Sequence, residues 1–228
     1  MTKGLSGNQL KLLAVMLMTI DHIGAILYPN VLWLRLIGRL AYPIFAYMVA
    51  EGCTHTRSLP RYFATMAAMA AVCQVAVYFV TGSLYQYILV TFSLSIGLVC
   101  LLKKAKDTNH MLWWLLSAAG IGVVWYLTQW LPVKLRGTDF SIDYSFWGVM
   151  LPVAVWLGKT RQQKLLITAG VLVLIAGDPN QIQMLSLCAL PLLMLYNGQR
   201  GKMKLKYFFY LYFPVHIVAL EIIALLRK

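Results

Sequence analysis

Nine apolar runs, separated by short polar connections, constrain what this chain can fold into. They cover residues 11–28, 31–53, 62–81, 85–102, 111–131, 144–158, 165–177, 181–196 and 207–226. A helix needs about 20 apolar residues to cross the hydrocarbon core of a bilayer. The sixth, seventh and eighth runs are short by that measure, which suits tilted helices, locally thinned bilayer or partial penetration. The 228 residues are 61% hydrophobic and 12% charged, whereas a soluble domain is about 25% charged. A water-soluble chain of this size could not enclose so much apolar surface. That excludes a soluble enzyme, a disordered chain and a secreted disulfide scaffold. Continuous runs, as opposed to alternating ten-residue strands, exclude a transmembrane β-barrel. The expected fold is all-α: a polytopic transmembrane bundle of about nine segments, with residues 1–228 forming a single integral membrane domain.

The charge pattern orients the bundle. Lys and Arg number 20 against 7 Asp and Glu, a net charge of +13. The positive charges sit between apolar runs, which points to membrane topology and away from nucleic acid. With the N-terminus cytoplasmic, fourteen of them fall on the inner side, in the N-terminal stretch and the 57–61, 103–106, 159–164 and 200–206 segments. Four fall outside: Lys134, Arg136, Arg227 and Lys228. Cytoplasmic loops carry the Lys/Arg excess, so the N-terminus is expected inside and the C-terminus outside. The first run does not read as a cleavable signal, because Asp21 and His22 interrupt it where a small-residue cleavage site would follow. Ser6 to Gln9 has capping-box spacing and predicts a helix start there. Cys53, Cys73, Cys100 and Cys188 lie within or at the ends of apolar runs without C-x-x-C spacing. They read as small hydrophobes, and no metal is expected. Ala64, Ala67, Ala68 and Ala71 read as a close-packing helix face.

Ionisable residues inside the runs are the candidates for chemistry, since each charge at mid-bilayer costs about 2.5–3.5 kcal/mol even on the lenient scale. Asp21 and His22 lie in the first run, Arg35 and Arg39 in the second, and His216 in the last. At about 1.5 Å rise per residue, His22 and His216 reach similar depths, and Arg39 descends to meet them from the other side. Asp21 and Arg39 are expected to neutralise each other there. Asp21 lies about 100° around the helix from His22, so it is better placed to bind an arginine than to orient the histidine. Arg35, Arg39, Pro43, Tyr47 and Glu51 follow one another at i+4, with His55 closing the inner end. Pro43 cannot donate to the carbonyl of Arg39, nor Pro214 to that of Tyr210. Freed backbone of this kind is tolerated where it lines a cavity or is satisfied by neighbours.

Several blocks together resemble the TraX family. They are Thr19-Ile-Asp-His-Ile-Gly24; Leu34 to Ala46 with Arg35, Gly38, Arg39 and Pro43; Ala50-Glu-Gly52; His55-Thr-Arg57; Thr91-Phe92 to Gly97-Leu98; Asp143-Tyr144 with Gly148 to Pro152; and Phe209 to His216. The resemblance implies an acetyl- or acyltransferase of the bacterial inner membrane, in a family linked to N-terminal acetylation of pilin. The family also looks distantly similar to the membrane enzymes that O-acetylate surface polysaccharides and to the lysosomal enzyme that acetylates heparan sulfate. In that wider group a histidine of an early helix, with nearby arginines, serves transfer from cytosolic acyl-CoA. His22, Arg35 and Arg39 are the matching residues here.

On this reading His22 is the general base, with Asp21, Arg39 and His216 beside it in the catalytic layer. Arg39 or Tyr212 is available to donate to an oxyanion. Arg35, Arg57 and Arg61 are candidates for the diphosphate of acetyl-CoA or another acyl-CoA, which is a donor substrate. Glu51, Tyr47, Tyr212, Asp143 and Tyr144 are supporting residues. The expected partners are acyl-CoA, a pilin-like protein or a glycan acceptor, and membrane lipids, with no nucleic acid. Two other classes remain open at this level: a transporter using Asp21, His22 and His216 as a proton relay, and a non-catalytic assembly factor for surface appendages.

Overall fold

The computed structural model describes residues 4–177, 182–202 and 205–227, with backbone alone at 206, 207 and 210. Lys3, Lys204 and Lys228 of the charge pattern lie outside the described residues, as does Gln181 at the start of the eighth run. Among the described residues the chain is helical and has no strand, only isolated bridges between Leu5 and Tyr196 and between Gln86 and Ile142. The helices are α1 (Gly7–His22), α2 (Leu32–Gly38), α3 (Ala41–His55), α4 (Leu59–Thr81), α5 (Ile88–Thr108), α6 (Met111–Trp125), α7 (Leu131–Lys134), α8 (Ser145–Leu157), α9 (Arg161–Ala176), α10 (Leu190–Met194) and α11 (Lys206–Leu226). π-helical turns continue α1 over Ile23–Leu27 and α6 over Tyr126–Trp130, and a 3₁₀ helix, Ile182–Ala189, leads into α10.

Every apolar run carries helix, but not every one is long enough to cross a bilayer. Among the described residues five stretches are long and apolar enough: Gly7–Leu27, Leu32–His55, Leu59–Thr81, Ile88–Thr108 and Met111–Lys134. The protein is therefore a multi-pass membrane protein. Among the described residues Ser145–Leu157 and Ile182–Met194 are apolar but shorter, whereas α11 is a helix of 21 residues, Lys206–Leu226. The eighth run is divided because Pro191 lies in the first turn of α10 and the chain before it winds as 3₁₀ helix. The second run is divided for a related reason. Pro43 has no N–H for the carbonyl of Arg39, and α2 ends at Gly38, with a turn at Arg39 and Leu40 before α3 begins. Pro214, in contrast, sits inside a continuous α11.

The chain forms two compact units. The first comprises residues 1–48 and 160–228, the second 49–159. In the first, α1 packs on α2 and α11, and the 3₁₀ helix packs on α9 and α2. The capping box forms as the spacing predicts: Ser6 N–H donates to Gln9 Oε1 at 2.8 Å, and Gln9 N–H donates to Ser6 Oγ at 3.4 Å. In the second unit α5 lies against α4, α6 and α8. Its small polar residues Thr91, Ser93 and Ser95 are buried. Ser95 Oγ lies 2.7 Å from the carbonyl of Val149, a hydroxyl link between α5 and α8.

The alanine face expected on α4 does not pack inward. Ala64, Ala68 and Ala71 are exposed, and the buried face is Met66, Ala70, Cys73 and Val77. The exposed side of α4 also carries large apolar residues, Val72, Val75 and Phe79.

The polar connections of the second unit are held by aspartates. Asp139 accepts from Ser83 Oγ at 2.5 Å and from Leu84 N–H at 2.9 Å. These bonds favour the carboxylate and hold its pKa below the ordinary aspartate value. The stabilisation is therefore complete above about pH 4 and is lost as pH falls through the lowered value. Hydrogen exchange at Leu84, corrected for intrinsic rate, should show protection at neutral pH that disappears in strong acid. Asp139→Asn should weaken that protection at neutral pH as well. Tyr85 O–H donates to Asp143 Oδ1 at 2.8 Å. Burial first, and then the Asp143 charge, push the phenol pKa up.

Candidate functional site

The site is built by α1, α2, the 3₁₀ helix and α11, all in the first unit. At the end of α1 the winding widens from α to π immediately after His22, and Tyr28 N–H closes the wide turn onto Ile23 O at 3.1 Å. Such single-turn π segments occur frequently at functional sites. Asp21 and His22 stand at the junction and point to different partners.

Asp21 binds two guanidinium groups. Arg35 Nη1 donates to Asp21 Oδ2 at 2.6 Å and to its backbone oxygen at 3.1 Å. Arg39 Nη2 reaches Oδ1 at 3.2 Å and Oδ2 at 3.4 Å. Arg35 thus makes the shorter contact, where the sequence pattern singled out Arg39. The carboxylate is 13% exposed, Arg39 16% and Arg35 30%. One negative charge faces two positive ones, leaving a net charge of +1 in an apolar layer. Gly38 makes this approach possible, because a Cβ there would overlap the Asp21 side chain. Gly24 likewise lets α2 come close to the π turn, since a Cβ there would come within 2.7 Å of Leu34 Cβ.

His22 faces α11. Its Nδ1 lies 2.8 Å from His216 Nε2. The two rings are inclined by only 24° with centroids 5.0 Å apart, the disposition of an in-plane, edge-to-edge hydrogen bond. His216 Nδ1 lies 2.9 Å from the backbone oxygen of Tyr212. A carbonyl oxygen can only accept, so His216 Nδ1 carries the proton. Neutral His216 then has its lone pair on Nε2, and His22 must donate from Nδ1. Neutral His22 is left with a lone pair on Nε2. The backbone of α11 thereby fixes the tautomer of a histidine on α1.

Tyr212 belongs to the same cluster. Its ring lies 5.0 Å from that of His216, nearly parallel, and its hydroxyl is 2.6 Å from Thr19 Oγ1. Thr19 Oγ1 donates its single proton to Val15 O at 2.8 Å. The Tyr212 hydroxyl must therefore donate to Thr19, and it is a positioning group with no proton free for an oxyanion. Of the two groups expected to donate to an oxyanion, Tyr212 is thus engaged within the cluster.

Other residues singled out in the sequence lie elsewhere. Tyr47 is buried and packs edge-to-face on Tyr196 in the first unit, with ring centroids 6.2 Å apart. Glu51, Arg57, Arg61, Asp143 and Tyr144 belong to the second unit. Glu51 is buried and lies 3.4 Å from His55, one helical turn on. Arg57 is exposed in the connection between α3 and α4, and Arg61 is exposed in the first turn of α4. The backbone of Asp143 accepts from Thr91 Oγ1 at 2.8 Å. Tyr144 and Ser145 both have positive φ, 59° and 52°, a strained pair of non-glycine residues opening α8.

The model of a family described as TraX protein matches residues 6–224. The chain belongs to the TraX family. It is 24% identical to a probable fimbrial assembly protein FimC, serogroup H1, of Dichelobacter nodosus, across 94% of each chain. A shorter stretch of 38 residues is 58% identical to an uncharacterized protein of Rickettsia prowazekii (strain Madrid E), covering 17% of this chain and 15% of that one. No solved structure matches.

Three residues in or beside this cluster are not singled out for chemistry in the sequence: Thr19, which enters only as part of a family block, Gln183, and Ser186 on the same 3₁₀ helix. Arg39 Nη1 donates to Gln183 Oε1 at 3.1 Å, which brings the 3₁₀ helix into the site. The available signal was an amide and a hydroxyl, three residues apart, inside an otherwise apolar run. Chemically the cluster offers an imidazole of fixed tautomer, a held carboxylate and an uncompensated positive charge in one layer. That combination suits removing a proton from a nucleophile and stabilising a developing negative charge.

Proposed function

We propose that this TraX protein is an acyltransferase of the bacterial inner membrane, moving an acyl group from cytosolic acyl-CoA to an amine or hydroxyl, with a pilin-type protein as acceptor. The observation that carries the reading is the hydrogen-bond chain from His22 through His216 to the Tyr212 carbonyl. It presents His22 Nε2 as a base, as acyl transfer requires. The acceptor N–H or O–H gives its proton to that nitrogen while its lone pair attacks the thioester carbonyl carbon. The tetrahedral intermediate collapses, the C–S bond breaks, and the thiolate recovers the proton from the His22 imidazolium. His216 stabilises that imidazolium by accepting from its Nδ1–H. Arg57 and Arg61, exposed in the second unit, carry guanidinium groups of the kind that match a diphosphate such as that of the coenzyme.

The acceptor class is supported by the Dichelobacter relative, whose name places it in fimbrial assembly. That name equally fits a non-catalytic assembly factor. Incubating membranes with labelled acetyl-CoA separates the two readings. The enzyme predicts stable label on a protein or glycan, absent from membranes carrying His22→Ala. Normal appendage assembly without any label transfer would favour the assembly factor and overturn the acyltransferase.

A further inference from the structure

Three buried polar atoms of the first unit have no hydrogen-bond partner among the described residues: Arg39 Nε, Gln183 Nε2 and Ser186 Oγ. Buried polar groups are otherwise almost always paired, so two at one contact and a third one 3₁₀ turn away need a reason. The orientation of Gln183 is fixed, because its Oε1 accepts from Arg39 Nη1 and its amide NH₂ must point the other way. Ser186 follows three residues later on a 3₁₀ helix, whose residues i and i+3 lie one above the other. Its residue is wholly buried. The group therefore offers an N–H, an NH₂ and an O–H, next to an ion-pair cluster that carries one uncompensated positive charge. These are donors around positive charge, the requirement for receiving a partly or fully negative oxygen.

We infer that Arg39, Gln183 and Ser186 form the receiving site for the acyl carbonyl oxygen of the thioester, an assignment that rests on the acyl-transfer reading above. As the acceptor attacks, the carbonyl π pair moves onto oxygen and the donors hold the resulting oxyanion. On collapse the same pair re-forms the C=O bond and the coenzyme thiolate departs. The receiving groups come from the turn after α2 and from the 3₁₀ helix, the base from α1. The ligand class is an acyl thioester.

The test uses the full-length protein in membranes with labelled acetyl-CoA, comparing wild type, Ser186→Ala and Gln183→Met, with His22→Ala as the inactive control. Losing one oxyanion donor typically lowers kcat by about 10²–10³-fold. Each variant should show a loss approaching that size while the donor KM changes little, because the interaction strengthens only in the transition state. Detergent-solubilised Ser186→Ala should melt no lower than wild type, since its hydroxyl gives up no partner within the protein. If the wild type transfers label and Ser186→Ala and Gln183→Met keep full kcat, this assignment is overturned and the acyl-transfer reading stands. If Ser186→Ala melts clearly lower, its hydroxyl is bonded within the fold and the assignment is likewise overturned. If the wild type transfers no label, both fall together.

Discussion

Replacing His22 with alanine should remove detectable acyl transfer while the protein still accumulates in the membrane. A general base typically contributes about 10²–10⁴-fold to rate. The base is held by one hydrogen bond, 2.8 Å from His22 Nδ1 to His216 Nε2, which α11 orients through the Tyr212 carbonyl 2.9 Å from His216 Nδ1. His22→Gln should be equally inactive, because an amide can hydrogen-bond but cannot accept the proton. His216→Ala leaves His22 its basic nitrogen but releases the tautomer, so kcat should fall less than in His22→Ala. His216→Gln can present an amide oxygen to His22 Nδ1–H and should recover some of the loss, which a purely structural role would not predict. Single-turnover transfer of labelled acetyl groups, with expression measured in parallel, reads all four variants. Activity in His22→Ala with none in His216→Ala would exchange the two roles, and full activity in both would sink the mechanism.

The sequence disclosed the ionisable layer because the bilayer makes such residues rare. Asp21, His22, Arg35, Arg39 and His216 stand out against apolar runs, and depth counting places Asp21, His22, Arg39 and His216 together. That Asp21 turns to an arginine and not to His22 follows from helical periodicity. What periodicity cannot supply is the departure from it. The π turn at Ile23–Leu27 and the 3₁₀ helix at Ile182–Ala189 are not visible as hydrophobic patterns. Gln183 and Ser186 are therefore hidden in a run whose character is otherwise apolar. Run composition also hides where helices break. Proline at 191 and at 43 interrupts runs that are continuous in composition, although the stretch containing Pro43, Leu32–His55, still reaches spanning length. Arg35 as the nearer partner of Asp21 depends on the absent side chain of Gly38, which becomes legible only once α1 and α2 are packed.

Charge balance makes the second prediction sharper than a simple pair would allow. Asp21 neutralises one of two guanidinium groups, so removing it strands both. Breaking a buried ion pair by losing one partner typically costs about 3–5 kcal/mol, a large share of the roughly 5–15 kcal/mol that holds a domain together. Asp21→Asn should therefore lower the yield of monodisperse protein in detergent more than Arg35→Met or Arg39→Met alone, since either arginine variant still leaves a balanced pair. Asp21→Asn with Arg39→Met should recover only some of the loss, because Arg35 remains uncompensated. Adding Arg35→Met should recover most of it, since the layer is then uncharged. Gly38→Ala should reproduce the Asp21→Asn defect without altering any charge, because the new methyl group occupies the space of the Asp21 carboxylate. Size-exclusion yield and melting temperature across the series test the order. If the triple variant is as poor as the sum of its single changes, the three side chains act independently and the coupling drawn from their 2.6 Å and 3.2 Å contacts is wrong.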